Sequence, residues 1–180
     1  MSTLIVLARH GETDWNRDHR IQGHSDVPLN ANGRAQANEL AERLAGERFD
    51  AVYASDLARA RETAQIAVAR TGLLVTELVE LREKHFGSWE GLTDDSVLAR
   101  FPEAHSGPWG DSETTDEMSV RVVEALKSIA AAHADGNVLV VTHGGPIRAA
   151  TQFCGVEPHS IENCHVTTIE IEDGRFRWID

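Results

Sequence analysis

The sequence predicts an α/β protein: a three-layer αβα sandwich around a mostly parallel sheet, with a C-terminal antiparallel hairpin. Three observations carry that expectation. The first half of Leu4–Asn16 and the run Val138–Val141 are short, almost wholly apolar and strand-forming, as strands buried on both faces are. Stretches of 3.6-residue period alternate with such runs, which favours parallel strands joined by crossover helices. From Val166 to Glu172 the period becomes two, and Asp173-Gly174 then offers a hairpin turn.

In chain order, Leu4–Asn16 reads LIVLARHGETDWN, so a first strand delivers Arg9 and His10 to its C-terminal edge on a glycine-bearing turn. Asp14 to Asn32 is polar, holds Gly23 and Pro28 and has no sustained period; so long a loop in a compact fold suits one that folds over a site. Ala37, Leu40, Ala41 and Leu44 share a helix face, with Asn30 or Asn32 as the cap and Gly46 near the end. A strand at Asp50–Ala54 follows, and Ser55 and Asp56 can cap a helix whose inner face is Leu57, Ala60, Ala64 and Ala67. A third strand, Leu73–Thr76, leads to the loop Leu81–Gly91. Thr93 caps a short helix to about Arg100, after which Pro102, Gly107, Pro108 and Gly110 interrupt the chain. From Thr115 to Ala134, Met118, Val122, Ala125, Leu126, Ile129 and His133 form one amphipathic face. The buried strand Asn137–Thr142 ends at His143-Gly144-Gly145-Pro146, where Pro146 marks the start of a helix to Cys154 and Gly155 its stop. Val166–Glu172 and Arg175–Ile179 make the terminal hairpin. With no internal repeat, low-complexity tract or linker, residues 1–180 read as one domain.

Composition narrows the function. A net charge of -12 over 180 residues argues against nucleic acid, whose affinity comes largely from Lys and Arg on phosphates. Any anion site must therefore be a local basic pocket. No apolar stretch approaches the roughly 20 residues of a membrane span, and no basic segment with an apolar signal core opens the chain, so a soluble, cytoplasmic protein without membrane contacts is expected. Cys154 and Cys164 lack zinc-like spacing and disulfide density, and read as reduced and structural. The expected partner is a small phosphorylated metabolite; a homodimer is left open.

Arg9 beside His10 is a sensible phosphate holder, since guanidinium donates in a planar fork and a neutral imidazole nitrogen can attack phosphorus; alone, such a pair is more often a capped turn with a solvated charge. His143 alone is a capping or core histidine. Together the two histidines end strands about 130 residues apart in sequence, each next to a glycine that permits close backbone approach (Gly144 in the second case), at the edge where α/β sheets keep their ligands. Trp15, Trp89, Trp109 and Trp178 read as packing or rim residues.

Five blocks, LARHGET with Asn16 six residues past the histidine, IQGHSDVPLN, YASDLARARETA, LREKHFGSWEG and VVTHGGPIR, resemble in order the histidine phosphatase superfamily, the phosphoglycerate mutase-like branch, over essentially the whole chain. That resemblance implies His10 as the nucleophile that becomes phosphohistidine, and Arg9, Arg59 and His143 as the rest of the phosphate pocket. It matches Asn16 to a pocket-lining asparagine, Glu83 to the proton donor, and Thr13, Gln22 and Gly23 to positions near the substrate. One departure is Asp111-Ser112-Glu113-Thr114, where relatives usually read Gly-Gly-Glu-Ser. By residue type alone, Arg59 is a solvated helix residue with Arg61 or Glu62 nearby, unless its place in a first helical turn makes it an anion ligand; Glu83 is otherwise a loop carboxylate.

The chemistry fits the assignment. Displacement at phosphorus needs an in-line nucleophile and cations around the equatorial oxygens; a single carboxyl can protonate the leaving alkoxide and then activate water. No metal or other cofactor is required. A phosphatase for small phosphomonoesters is expected, with a phosphoglycerate mutase or a silent phospho-ligand-binding relative as alternatives. The compact stretch between Gly91 and the long helix favours the phosphatase, because the resembling mutases carry longer insertions there.

Overall fold

The two most apolar runs bury each other. Strand β1 (Ser2–Arg9) lies parallel to β4 (Asn137–Thr142), with Leu7 opposite Val140, at the middle of a six-stranded sheet. The computed structural model describes residues 2–102, 112–157 and 159–179. The sheet continues with β2 (Ala51–Ser55) and β3 (Val75–Leu78) on one side, both parallel, and with β5 (Val166–Glu172) and β6 (Arg175–Trp178) antiparallel on the other, in the order β3-β2-β4-β1-β5-β6.

Alternation along the strands builds the other layers. Ile5, Leu7, Val138 and Val140 pack with Met118, Val122, Leu126, Ile129 and Ile147, which belong to α5 (Thr115–Ala132) and α6 (Gly144–Phe153). Their neighbours Val6, Ala8, Leu139 and Val141 face the opposite side, with Leu40 of α2 (Ala31–Arg43) and Ala60, Ala64 and Ala67 of α3 (Ala58–Ala67). Each face removes a separate apolar set from water, so a one-residue slip of either central strand would exchange the two cores. Among the described residues no helix is long and apolar enough to cross a membrane.

Several helix signals act as expected. The Asn30 side chain accepts from Gly33 N at 2.8 Å and starts α2, Thr93 starts α4 (Asp94–Arg100), and Thr114 and Glu117 form a reciprocal capping box on α5. At the hairpin, Asp173 and Gly174 have φ of 49° and 76°, the left-handed pair a tight antiparallel turn demands. Both cysteines are free thiols.

Other elements differ from the sequence reading for identifiable reasons. The cap of α3 is neither Ser55 nor Asp56: Leu57 occupies that position without a side-chain bond, Asp26 Oδ1 accepts from Ala58 N at 2.7 Å, and Asp56 is paired with Arg82. β3 lies two residues later than Leu73–Thr76, because parallel pairing with β2 sets Val52 against Val75 and leaves Leu74 in solvent. α6 starts at Gly144, not Pro146; Pro146 falls inside the first turn, where a missing N–H costs nothing because those groups have no intrahelical acceptor. The long loop contains α1 (Asp14–Arg17), one turn held by a Thr13–Asn16 capping box and too short to show a period. His133 leaves the helix as its C-terminal cap, its Nε2 3.0 Å from the Tyr53 hydroxyl. Trp89 is buried against Phe101, Trp15 packs at Gly91 and Trp178 is half exposed. Trp109, Gly107, Pro108, Gly110 and Asp111 lie outside the described residues.

Candidate active site

The adjacent ends of β1 and β4 bring the two strand-ending histidines together. His10 N donates to Thr142 O at 3.0 Å, and the His10 and His143 rings meet edge to face with centroids 5.0 Å apart. The turn after His10 is clamped on both sides. A Cβ on Gly11 would stand 2.4 Å from Gly33 O, so the α2 N-terminus rests on its backbone, and Gly11 N donates to Thr63 Oγ1, which donates to Arg59 O. From the other side Asn163 Nδ2 donates to His10 O at 3.0 Å and Cys164 N to Arg9 O.

This clamp selects a tautomer. His10 Nδ1 lies 2.7 Å from Gly11 O, and a carbonyl only accepts, so Nδ1 carries the hydrogen and Nε2 the lone pair. His10 is only 3% exposed. Burial, then the charges of Arg59 and Arg9, holds its pKa well below the ordinary value; burial and Arg59, followed by His10 and Arg9, does the same to His143. Both rings are therefore neutral near pH 7.

Depressed histidines leave a mark on stability. The unfolded chain takes up these protons first, so their contribution is complete above about pH 6.5. It is lost as the pH falls toward the folded-state values, at up to about 1.4 kcal/mol per pH unit for each ring. We expect His143→Gln to flatten the pH dependence of urea stability by about that amount between pH 6.5 and 5.5. An unchanged slope in the variant would mean that His143 is charged in the folded protein.

Arg59 sits in the first turn of α3 and is 1% exposed, not solvated; Glu62 pairs instead with Arg34. Its fork donates to Ser25 O at 2.9 Å and Gly23 O at 2.8 Å. Those carbonyls are held by Glu90, whose oxygens accept from the backbone N–H groups of His24, Ser25 and Phe86 and from the Ser25 hydroxyl. Gly23, at φ +55°, is required here twice, since a Cβ would also stand 2.1 Å from Glu90 Oε1. Burial brings the Arg59 pKa down to about 10 and lowers that of Arg9 as well, so Arg59 remains a cation at neutral pH. Arg9 donates to Ile161 O.

Glu83 reaches the same place from the loop after β3. Its Oε2 accepts from Gly145 N at 3.0 Å and its Oε1 from Lys84 N at 2.8 Å, while Arg121 gathers the carbonyls of Glu80, Arg82 and Glu83. The other two donor positions of Arg121 grip both oxygens of Glu113, which also accepts from His85 N. Burial alone would raise the Glu113 carboxyl, but Arg121 and His85 N–H outweigh it and hold it below the usual range. Where Asp111-Ser112-Glu113-Thr114 departs from the expected pattern, Glu113 thus fastens the Glu83 loop to α5. The backbone of α6 leaves no room beside Glu83: a Cβ on Gly145 would stand 2.0 Å from Oε1. Gly145→Ala is expected to displace that carboxylate and lower turnover of an alkyl phosphate about 10²-fold with little loss of thermal stability, checked by kinetics and melting in parallel.

Asn16, Thr13 and Gln22 form one network beside His10. The Thr13 hydroxyl lies 3.1 Å from Asn16 Oδ1 and 2.9 Å from Gln22 Oε1, and Asn163 bridges His10 O and Asn16 Oδ1. Every residue named from the sequence is thus brought to one edge of the sheet. Thr63, Ser25, Glu90, Arg121 and Asn163 were not singled out. Thr63, Ser25 and Glu90 sit inside the recognised blocks, but nothing in their residue type marks them as braces; Arg121 and Asn163 carry no sequence signal.

Among the described residues five buried side-chain polar atoms lack a hydrogen-bonding partner, and four are here: Arg9 Nε, Arg59 Nε and both ring nitrogens of His143. Buried donors cost free energy unless satisfied, and such a cluster around two guanidiniums suits an oxyanion.

Comparison with known proteins places the whole chain in one family. Residues 5–180 match the family model of the histidine phosphatase superfamily (branch 1). The chain is 40% identical over 179 residues to Phosphoglycerate mutase-like protein 4 of Arabidopsis thaliana, covering 93% of this chain and 77% of that protein. It is 43% identical over 159 residues to the Metal-independent phosphoserine phosphatase of the same plant, covering 82% and 66%. Among solved structures, Bacillus stearothermophilus YhfR superposes with a TM-score of 0.91 at 34% identity, covering 98% and 95% of the two chains.

Proposed function

We propose that this chain, which belongs to branch 1 of the histidine phosphatase superfamily, hydrolyses small phosphomonoesters through a phosphohistidine on His10. The observation that carries the reading is the cluster of unpartnered buried nitrogens on Arg9, Arg59 and His143 around an imidazole whose Nδ1 is already committed to Gly11 O. His10 Nε2 attacks phosphorus as the ester oxygen departs; the bond to nitrogen forms and the bond to oxygen breaks. Arg9 and Arg59 hold the equatorial oxygens, and His143, neutral in the free protein, donates to them.

Glu83 gives the departing alkoxide its proton. In the second step it takes a proton from water, which attacks phosphorus, breaks the P–N bond and releases inorganic phosphate. The braces explain how positions are kept: Gly11 O fixes the tautomer, Gly23 O and Ser25 O aim Arg59, and Gly145 N and Lys84 N aim Glu83. Asn16, Thr13, Gln22, Gly23 and Gly144 line the phosphate and the approach to it.

Incubation with p-nitrophenyl phosphate tests the activity across about pH 4 to 9, the range of carboxyl and imidazole titration. Steady hydrolysis is expected. No release at any pH would leave a phospho-ligand-binding protein. Negligible hydrolysis with rapid isomerisation of 3-phosphoglycerate, given 2,3-bisphosphoglycerate, would make it a mutase.

A further inference from the structure

The carbonyl that sets the His10 tautomer belongs to the peptide joining Gly11 to Glu12, and a trans peptide is one rigid plane whose C=O and N–H point in opposite directions. On one side of that plane Gly11 O lies 2.7 Å from His10 Nδ1. On the other side Glu12 N donates to Gln36 Oε1 at 2.8 Å. The direction of the carbonyl is therefore tied to where the Gln36 side chain holds the opposite end.

The neighbouring planes have braces of their own. The peptide before Gly11 is gripped at Gly11 N by Thr63 Oγ1 and at His10 O by Asn163 Nδ2 and Cys164 N. The peptide after Glu12 is gripped at Glu12 O by Asn30 N and at Thr13 N by Asn16 Oδ1. Between them the Gly11–Glu12 plane has, among the described residues, one hydrogen-bonding brace besides His10 itself, and that brace is Gln36. Gly11 carries no Cβ, so its own torsions do little to stop the plane from turning.

The start of α2 is shaped for this contact. From the cap onward, Asn30, Gly33 and Gln36 recur at every third position and all meet the turn after His10. A Cβ on Gly33 would stand 2.7 Å from Glu12 N, so the bare backbone there lets the helix approach until the side chain one turn later reaches that N–H. Gln36 is partly buried and belongs to neither apolar cluster on the sheet.

We propose that Gln36 is a positioning residue for the nucleophile: by holding Glu12 N–H it keeps Gly11 O on His10 Nδ1, and so keeps the lone pair on Nε2. Its kinetic part rests on the phosphohistidine reading of His10, whereas the tautomer is read without turnover. An imidazole released from such a partner favours hydrogen on Nε2, the form that cannot attack from that atom. Loss of the acceptor should thus shrink the reactive fraction and leave the phosphate ligands Arg9, Arg59 and His143 in place.

Two variants test this: Gln36→Met, similar in length but without the oxygen, and Gln36→Glu, which keeps an acceptor. Long-range proton–nitrogen correlation spectra of isotope-labelled protein show which ring nitrogen carries hydrogen, with His10 assigned by its absence from His10→Ala. Wild type should show neutral His10 with hydrogen on Nδ1 alone. Gln36→Met should add the Nε2–H form and lower the first-turnover rate with p-nitrophenyl phosphate about tenfold, while the inhibition constant of inorganic phosphate stays within about twofold. Gln36→Glu should recover most of the rate and the single tautomer.

A wild-type tautomer and rate in Gln36→Met, equal losses in the two variants, or a phosphate constant that worsens in step with the rate would overturn the assignment and leave Gln36 as a support of the fold. Should Gln36→Met fail to fold by far-UV circular dichroism, Gln36→Ala puts the same question. If wild type shows no hydrolysis, the phosphohistidine reading fails, and the spectra alone then decide whether Gln36 sets the His10 tautomer.

Discussion

Replacing His10 with Ala is expected to lower hydrolysis of p-nitrophenyl phosphate by about 10⁴-fold or more, to near background, because it removes the nitrogen that forms the covalent intermediate. The fold should persist. His10 is buried, but against His143 and backbone polar groups, and it belongs to neither apolar cluster on the two faces of the sheet. Far-UV circular dichroism and the urea midpoint near pH 7 should therefore stay close to wild type. Residual activity within about tenfold of wild type would identify His143, the adjacent neutral imidazole, as the next candidate nucleophile.

The second large effect separates the two proposed steps of Glu83 by the leaving group. Glu83→Gln should slow an alkyl phosphate on the order of 10² to 10⁴-fold, since an alkoxide cannot depart unprotonated. An aryl phosphate should suffer less in the first step, because aryloxide is a weak base. Its defect should lie in dephosphorylation, with a burst of product as phosphohistidine accumulates. The control within the experiment is structural. Gln can accept from only one of the two N–H groups now on the carboxylate, at Lys84 and Gly145, so some repositioning accompanies the lost proton. Repositioning alone would slow both substrates by one factor without a burst. That outcome would reduce Glu83 to a loop carboxylate, and Glu113 is poorly placed to replace it while Arg121 holds both its oxygens.

The parts of this arrangement legible in the sequence are those that repeat or punctuate. β1 and β4 stand out because strands buried on both faces must be apolar at consecutive positions, and α5 because one stripe faces the sheet. Both deliver their histidines where the sequence reading expects them. What stayed hidden depends on single hydrogen bonds across distant segments. Nothing local in Asp26 announces that it caps α3, nor in Glu90 that it holds the carbonyls that aim Arg59, nor in Arg121 that it gathers three carbonyls behind Glu83. Boundaries moved where tertiary pairing overrode local preference, as at β3, and where proline has more than one tolerated position, as at Pro146. Arg59 illustrates the limit most clearly. Its residue type favours solvent, and only the carbonyls of Gly23 and Ser25, more than 30 positions earlier, make it a buried cation.

The central claim is that phosphate passes through His10 Nε2, and rapid quenching of wild type during turnover tests it most directly. Protein trapped in base within the first turnovers and digested should carry an acid-labile, base-stable phosphate on the peptide that contains His10, at a stoichiometry that rises in Glu83→Gln. Phosphate on the His143 peptide instead, or steady hydrolysis with no phosphorylated peptide even in Glu83→Gln, would contradict the account.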